Sequence, residues 1–196
     1  PTLVLEKVRS LRITERAESR VAMDISVRRT VESEAPYPVE ALPDGLEAYL
    51  ADRPDWIQAG HPLIVAQSSA LVEGATTQAE VVERVVAFVR EHVAYTPVAA
   101  RDAVSVLETG EGDCVGYGNL SLALLRAAGI PARAQTGIIW RLQGEIGQHL
   151  WIEVYHTDVG WVSIDPQMRI TPRYILGCRG GNDVAIVFIR LNGWCC

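Results

Sequence analysis

The sequence predicts an α+β fold in which helices precede an antiparallel sheet and a short β segment precedes both. Three observations carry this. From Thr76 to Gly129 apolar residues recur mostly at helical spacing. After Pro131 come three strand-like runs, "ARAQTGIIW" (132–140), "HLWIEVYH" (149–156) and "GWVSID" (160–165), separated by glycine-bearing turns. In "RVAMDISVRR" the residues Val21, Met23, Ile25 and Val27 alternate with more polar or small ones, the period of a half-buried strand. Helices followed by consecutive strands are the order of α+β proteins.

Each element has its own signal. Leu11 and Ile13 continue a weaker alternation, and "ERAES" supplies a hairpin connection between the two N-terminal strands. "SEAPYPVEALPDG" then brings three prolines and a glycine, which punctuate a loop. The boundary is placed there: 1–40 as an N-terminal β segment, 41–196 as the main domain. "TQAE" at 77–80 fits a capping box, with Thr77 and Glu80 satisfying free N–H groups at a helix start. Val81, Val82, Val85, Val86, Phe88 and Val89 give that helix a wide apolar face. Asp102 caps a second, short helix ending near Gly110. A third helix starts at Cys114, with Asp113 as its cap, runs through Leu120, Leu122, Leu124 and Leu125, and exits at Gly129 before Pro131. "GCRGGNDVAIVFIR" reads as a closing turn and a further strand.

Composition narrows the classes of function. The 196 residues are 48% hydrophobic, enough for one substantial core, and carry a net charge of −6. Basic residues cluster in 1–30, seven against four acidic ones, yet no basic stripe of the kind nucleic acid requires runs along the chain. Nucleic acid is therefore excluded as a partner. No apolar run has the length to span a bilayer. The chain opens on Pro1 without methionine, which reads as a processed or excised product. Cys114, Cys178, Cys195 and Cys196 make a poor disulfide framework, and no C-x-x-C pair suggests zinc. No acidic calcium loop is present, so neither metal nor other cofactor is expected.

Cys114 poses the chemical question. A structural cysteine belongs inside the leucine-rich run, but this one stands at the helix mouth among Gly112, Gly116 and Gly118. A thiolate is the reactive form of cysteine, and the positive end of a helix favours it, as does a neighbouring imidazolium. The free N–H groups there also suit an oxyanion. Of the four histidines, His149 stands where a strand opens, and Asp165 ends the next strand. A hairpin between them sets the two directly opposite, close enough for the carboxylate to hold the imidazole. His156, far along the same strand, reads as an exposed turn residue, and Trp151 and Trp161 as core or cleft-wall packing.

"GDCVGYGNLSLALLRAAGIPAR", "HLWIEVY" and "GWVSIDP", in that order, resemble the transglutaminase-like superfamily, whose core is related to papain-type cysteine proteases. The matching positions are Cys114, Gly129 to Arg133, His149 with Trp151, Glu153 and Val154, Trp161, and Asp165 with Pro166. The resemblance covers roughly 75–170 and implies a papain-like core with Cys114 as nucleophile, His149 as general base and Asp165 as the acid that orients it. It departs from the family at Leu150, where a small residue is usual, an expectation of a narrowed site. Tyr95 is a candidate second oxyanion donor by its position upstream of the cysteine.

The resemblance implies a thiol-dependent acyl-transfer enzyme acting on a peptide or protein substrate through a thioester. Hydrolysis by water, as in a cysteine protease or amidase, is the favoured outcome. Transfer to an amine, as in a protein-glutamine transglutaminase, is the alternative. A non-catalytic peptide-binding module on the same fold, and a site covered by the N-terminal segment until processing, are two further readings. The missing start and the family's habits point outside the cytoplasm; the oligomeric state is left open.

Overall fold

A computed structural model of the chain describes residues 5–17, 20–97, 99–140, 146–168 and 174–179. The N-terminal strands β1 (Leu5–Ala17) and β2 (Arg20–Val31) form an antiparallel hairpin whose register closes at Ala17↔Arg20. The helices are α1 (Pro62–Val72), α2 (Gln78–His92), α3 (Ala103–Thr109) and α4 (Cys114–Ala127). Two short strands, β3 (Ala94–Tyr95) and β4 (Glu111–Gly112), pair in parallel beside α3. Four longer ones follow: β5 (Ala132–Trp140), β6 (Ile146–His156), β7 (Gly160–Ile164) and β8 (Tyr174–Arg179). They join the hairpin in a six-stranded antiparallel sheet of order β2-β1-β7-β6-β5-β8, β1 meeting β7 at Glu6↔Ser163.

Local signals set most helix ends. Thr77 accepts from Glu80 N–H while Glu80 accepts from Thr77 N–H, so the capping box forms in full. The Thr76 N–H first, then the Thr77 N–H and the Thr76 hydroxyl, hold the Glu80 carboxyl below its usual range. Asp102 caps α3, which closes on Gly110 in the left-handed conformation glycine tolerates. Helix α1 has no counterpart in the sequence analysis. Pro62 at its first position and the His61 ring accepting from Leu63 N–H start it. Its apolar residues form no single stripe, since Leu63 and Val65 face solvent while Ile64 is buried.

Helix α4 sits at the centre, against α1, α2, α3, β5 and β6. Leu120, Leu122, Leu124 and Leu125 are all fully buried, as expected of a helix apolar all round. Each contributes roughly 2 kcal/mol of burial. Val81, Val82, Val85, Val86 and Val89 of α2 close one side, and Ala132, Ile152, Val154, Val162 and Ile164 close the sheet side. Because side chains alternate across a strand, Glu153 and Tyr155 of β6 and Trp161 of β7 point away from that apolar layer. On this second face Arg133 and Glu153, directly opposite in register, form a two-pronged ion pair of 2.6 and 2.8 Å. The Arg133 guanidinium lies 3.9 Å over the Trp161 ring, which meets Tyr49 and Tyr155 edge-on.

The segment after the hairpin is strapped to the core at the far end of β6. Asp158 accepts from the Ser33 hydroxyl and Glu34 N–H, both at 2.9 Å. The buried Gln78 side chain donates to the Pro36 carbonyl and Thr157 Oγ1, and Tyr37 N–H bonds the Thr76 carbonyl. His156 belongs to this strap and corrects the expectation of an exposed turn residue. It is 0% exposed, with Nδ1 2.9 Å from Ser33 Oγ. Leu150, Ile152 and Val154 of β6 are buried, and His156 follows them in the same row. Burial pushes its pKa down to about 4, only partly opposed by the Asp158 charge.

Candidate active site

Cys114 is the first residue of α4 and a free, partly exposed thiol. The preceding Asp113 caps the helix, its Oδ1 accepting from Val115 and Gly116 N–H at 2.9 and 3.1 Å. Its Oδ2 takes a 2.7 Å ion pair from Arg101. Two first-turn donors are thereby consumed. Cys114's own N–H has no partner among the described residues, and it points out of the positive end of the helix. Asn119 holds the carbonyl of Arg101 at 2.8 Å, and the Tyr117 hydroxyl donates to the carbonyl of Val93. The first turn and a half of α4 therefore fixes both the 99–102 loop and the start of β3 around the cysteine.

His149 and Asp165 come to the same place from the sheet. His149 Nε2 lies 2.6 Å from Asp165 Oδ2, with both side chains almost wholly buried. Cys114 lies near enough to bear on the same ring and favours its protonated form. With Nε2 on the carboxylate, Nδ1 is the ring nitrogen left for the thiol. Burial alone depresses an imidazole, but the hydrogen bonds and charges of Asp165 and Cys114 outweigh it and hold His149 up at about 9. The other oxygen of Asp165, Oδ1, accepts from Gln167 and Met168 N–H at 2.7 and 3.1 Å. Three donors thus hold one buried carboxylate.

The route to this geometry differs from the expected one. β6 begins at Ile146, so His149 is its fourth residue and not its opening one. The register pairs Ile152 with Ile164 and Glu153 with Ser163. Carried one step past Ile164, it sets Asp165 opposite Trp151. His149 and Asp165 are therefore diagonal neighbours, two residues apart on one face of the pleat. Such pairs remain within reach of long side chains, and the shared parity keeps them together.

Leu150 does not narrow the site. It points to the opposite face from His149 and rests on Gly118 of α4, where a Cβ would overlap its Cδ2. The larger residue on the strand is matched by a glycine on the helix. Trp151 is 1% exposed and its ring stacks beside His149, as wall packing should. Tyr95 is 54% exposed, and the β3–β4 register sets it beside Gly112, two residues before Cys114. Cys178 lies in β8, while Cys195, Cys196 and the residues of "GCRGGNDVAIVFIR" after Arg179 lie outside the described residues. Among the described residues no group of three His, Cys, Asp or Glu is placed to hold a metal ion. No helix there is long and apolar enough to cross a membrane.

Sequence reasoning missed Arg90, whose guanidinium donates to the carbonyl of Asp165 at 2.7 Å. It also missed Arg101 on Asp113. Arg90, in the last turn of α2, looks like an ordinary complement to the helix dipole, and Arg101 stands in the loop before α3, so nothing in the local pattern marks either residue.

A helix-mouth cysteine, a strand histidine and a buried aspartate thus come together on an α+β scaffold. The chain belongs to the transglutaminase-like superfamily, whose family model matches residues 66–166. A protein-glutamine gamma-glutamyltransferase of Pseudomonas aeruginosa is 29% identical over 185 residues, covering 83% of this chain and 28% of that protein. The uncharacterized protein YebA of Bacillus subtilis is 33% identical over 79 residues, covering 34% of this chain and 11% of that one. The chain thus spans less than a third of the length of these curated relatives. Among solved structures, a candidate cysteine protease from Cytophaga hutchinsonii superposes with a TM-score of 0.68 at 17% identity, over 82% of this chain and 56% of that one. The periplasmic domain of TgpA from Pseudomonas aeruginosa gives 0.51 at 25% identity, over 65% of this chain and 48% of that one. The papain-like α+β fold expected from the motifs is the fold of these neighbours.

Proposed function

We propose that the chain is a thiol-dependent acyl-transfer enzyme in which Cys114 is the nucleophile, His149 the acid–base group and Asp165 the group that orients it. The observation that carries this reading is the His149–Asp165 pair, 2.6 Å apart and buried, brought beside the Cys114 thiol at the N-terminus of α4. His149 takes the thiol proton, and the imidazolium so formed is held by Asp165. The thiolate adds to an amide carbonyl, and the oxyanion meets the Cys114 N–H. As the tetrahedral intermediate collapses, the C–N bond breaks. The leaving amine or ammonia takes the proton from His149, and a thioester remains on Cys114.

Two acceptors complete the reaction. Water, activated by neutral His149, releases a carboxylic acid, the hydrolysis expected from the motifs. A primary amine releases a new amide. The match to a protein-glutamine gamma-glutamyltransferase over 83% of this chain favours that second route and a glutamine carboxamide as acyl donor. The N-terminal segment (1–40) and the main domain (41–196) are proposed to act together, since β1 pairs alongside β7, the strand that leads to Asp165.

The deciding experiment incubates the protein with a glutamine-containing peptide, with and without a fluorescent primary amine. Mass spectrometry then follows ammonia release, peptide cleavage and amine incorporation. Incorporation that disappears in Cys114→Ala identifies transamidation, while deamidation or cleavage that disappears identifies hydrolysis. Cys114 that alkylates with iodoacetamide only near pH 8.5, identically in His149→Ala, would leave the peptide-binding reading in place of the enzyme.

A further inference from the structure

We infer that Arg90 is a positioning residue for the Asp165–His149 pair: its guanidinium clamps the turn that carries the Asp165 carboxylate, and so sets the basicity of His149. The inference rests on the proposed acyl-transfer reading and extends it to a residue outside the three motifs.

Arg90 lies in the last turn of α2. Its Nη2 donates to the Asp165 carbonyl at 2.7 Å and the Met168 carbonyl at 3.4 Å, and its Nε to the Pro166 carbonyl at 3.2 Å. These three carbonyls have left the sheet, because β7 ends at Ile164, and so they need donors from elsewhere. Within the same turn the Asp165 carboxylate accepts the Gln167 and Met168 N–H groups. One arginine therefore holds the outer, carbonyl side of the turn, and Asp165 the inner, N–H side. The only freedom left to Asp165 is small, and Oδ2 meets His149 at 2.6 Å.

The arrangement suits arginine for a chemical reason. Its planar fork carries five N–H donors in fixed directions and reaches several carbonyls at once, whereas an ammonium group is a single point of charge. The Arg90 side chain is exposed, so its charge is screened by solvent, and geometry is what it supplies. The groups that bear on the His149 ring include Asp165 and Cys114, with Trp151 stacked beside it. Of these, Asp165 is the one Arg90 touches.

Arg90→Lys keeps the charge and most of the stem while losing the fork. The test is a carbon-13 NMR titration of the His149 ring in labelled protein, assigned with His149→Ala, together with the pH profile of acyl transfer. In Arg90→Lys the His149 midpoint is expected to fall by about one pH unit as its carboxylate loosens. The basic limb of kcat/KM should fall with it, and kcat should drop several-fold at unchanged KM. Arg90→Ala should show the same changes, reversed in part by added guanidinium ion. A purely structural arginine would lower the thermal midpoint and leave the titration where it was. A folded Arg90→Lys protein with a wild-type His149 titration overturns the inference and leaves the triad reading intact. An ordinary His149 midpoint near 6.5 in the wild type, insensitive to Asp165→Asn, overturns both.

Discussion

Asp165 is placed so that its two oxygens have different neighbours, and a single-atom change separates their roles. In Asp165→Asn the remaining carbonyl oxygen is held by the Gln167 and Met168 N–H groups, so the amide NH2 turns toward His149. Nε2 must then accept, and the ring proton moves to Nδ1, where it faces the thiol and cannot receive a proton from it. Activity should drop on the order of a thousandfold with the fold intact, measured as the single-turnover rate of thioester formation. Gly118 and Leu150 make a second residue-level test. Gly118→Ala should cost about 1–3 kcal/mol by overpacking against Leu150, although alanine is the better helix former. In a Leu150→Val background, which removes the overlapping methyl, the same substitution should be neutral or stabilising. Denaturant titration of the four proteins in the cycle checks this.

Among the elements, α2 is the clearest case of local sequence deciding structure. Removing the Thr77 hydroxyl frees the Glu80 N–H, and Thr77→Ala should cost about 1 kcal/mol. That corresponds to a thermal midpoint lower by roughly 2–4 °C. Capping, glycine exits and strand alternation were legible because each is written in a few neighbouring residues. So were Cys114, Asp113 and the α+β order. Helix α1 was not legible, since its apolar residues are divided between core and solvent. Nor was the start of β6 at Ile146, three residues ahead of the apolar run. The diagonal placement of His149 and Asp165 depends on hairpin register, which loop length and packing set together. The parity of the two positions survived that error, and parity is what brings their side chains together. Arg90 lies 75 positions from the carbonyl it binds, beyond the reach of any local pattern.

At the scale of the whole molecule, acid should weaken the fold before it titrates the carboxylates. His156 has a pKa of about 4 when folded against 6.5 in an open chain. Between those values the unfolded state binds the proton and the folded state does not, so stability falls as pH drops from about 6.5 toward 4. The expected loss is roughly 3 kcal/mol. His149 has the opposite sign. Its folded pKa of about 9 makes its contribution complete below 6.5 and lost as pH rises through 9. Asp102 and Asp158, with depressed pKa values, act only below about pH 4. His156→Asn keeps a donor toward Ser33 and should flatten the limb between pH 6.5 and 4. Urea midpoints measured across that range in both proteins decide the matter.

Strand β6 thus carries its two histidines about 23 Å apart, seven residues along one extended chain. On the proposed reading, one end of the strand governs how much acid the molecule survives, and the other the pH at which its chemistry runs. His149 bonds Asp165 and His156 bonds Ser33. A lineage moving into a more acidic habitat, or an engineer working toward one, can therefore change tolerance at the Ser33–His156–Asp158 end and leave the working pH of the thiol where it stands.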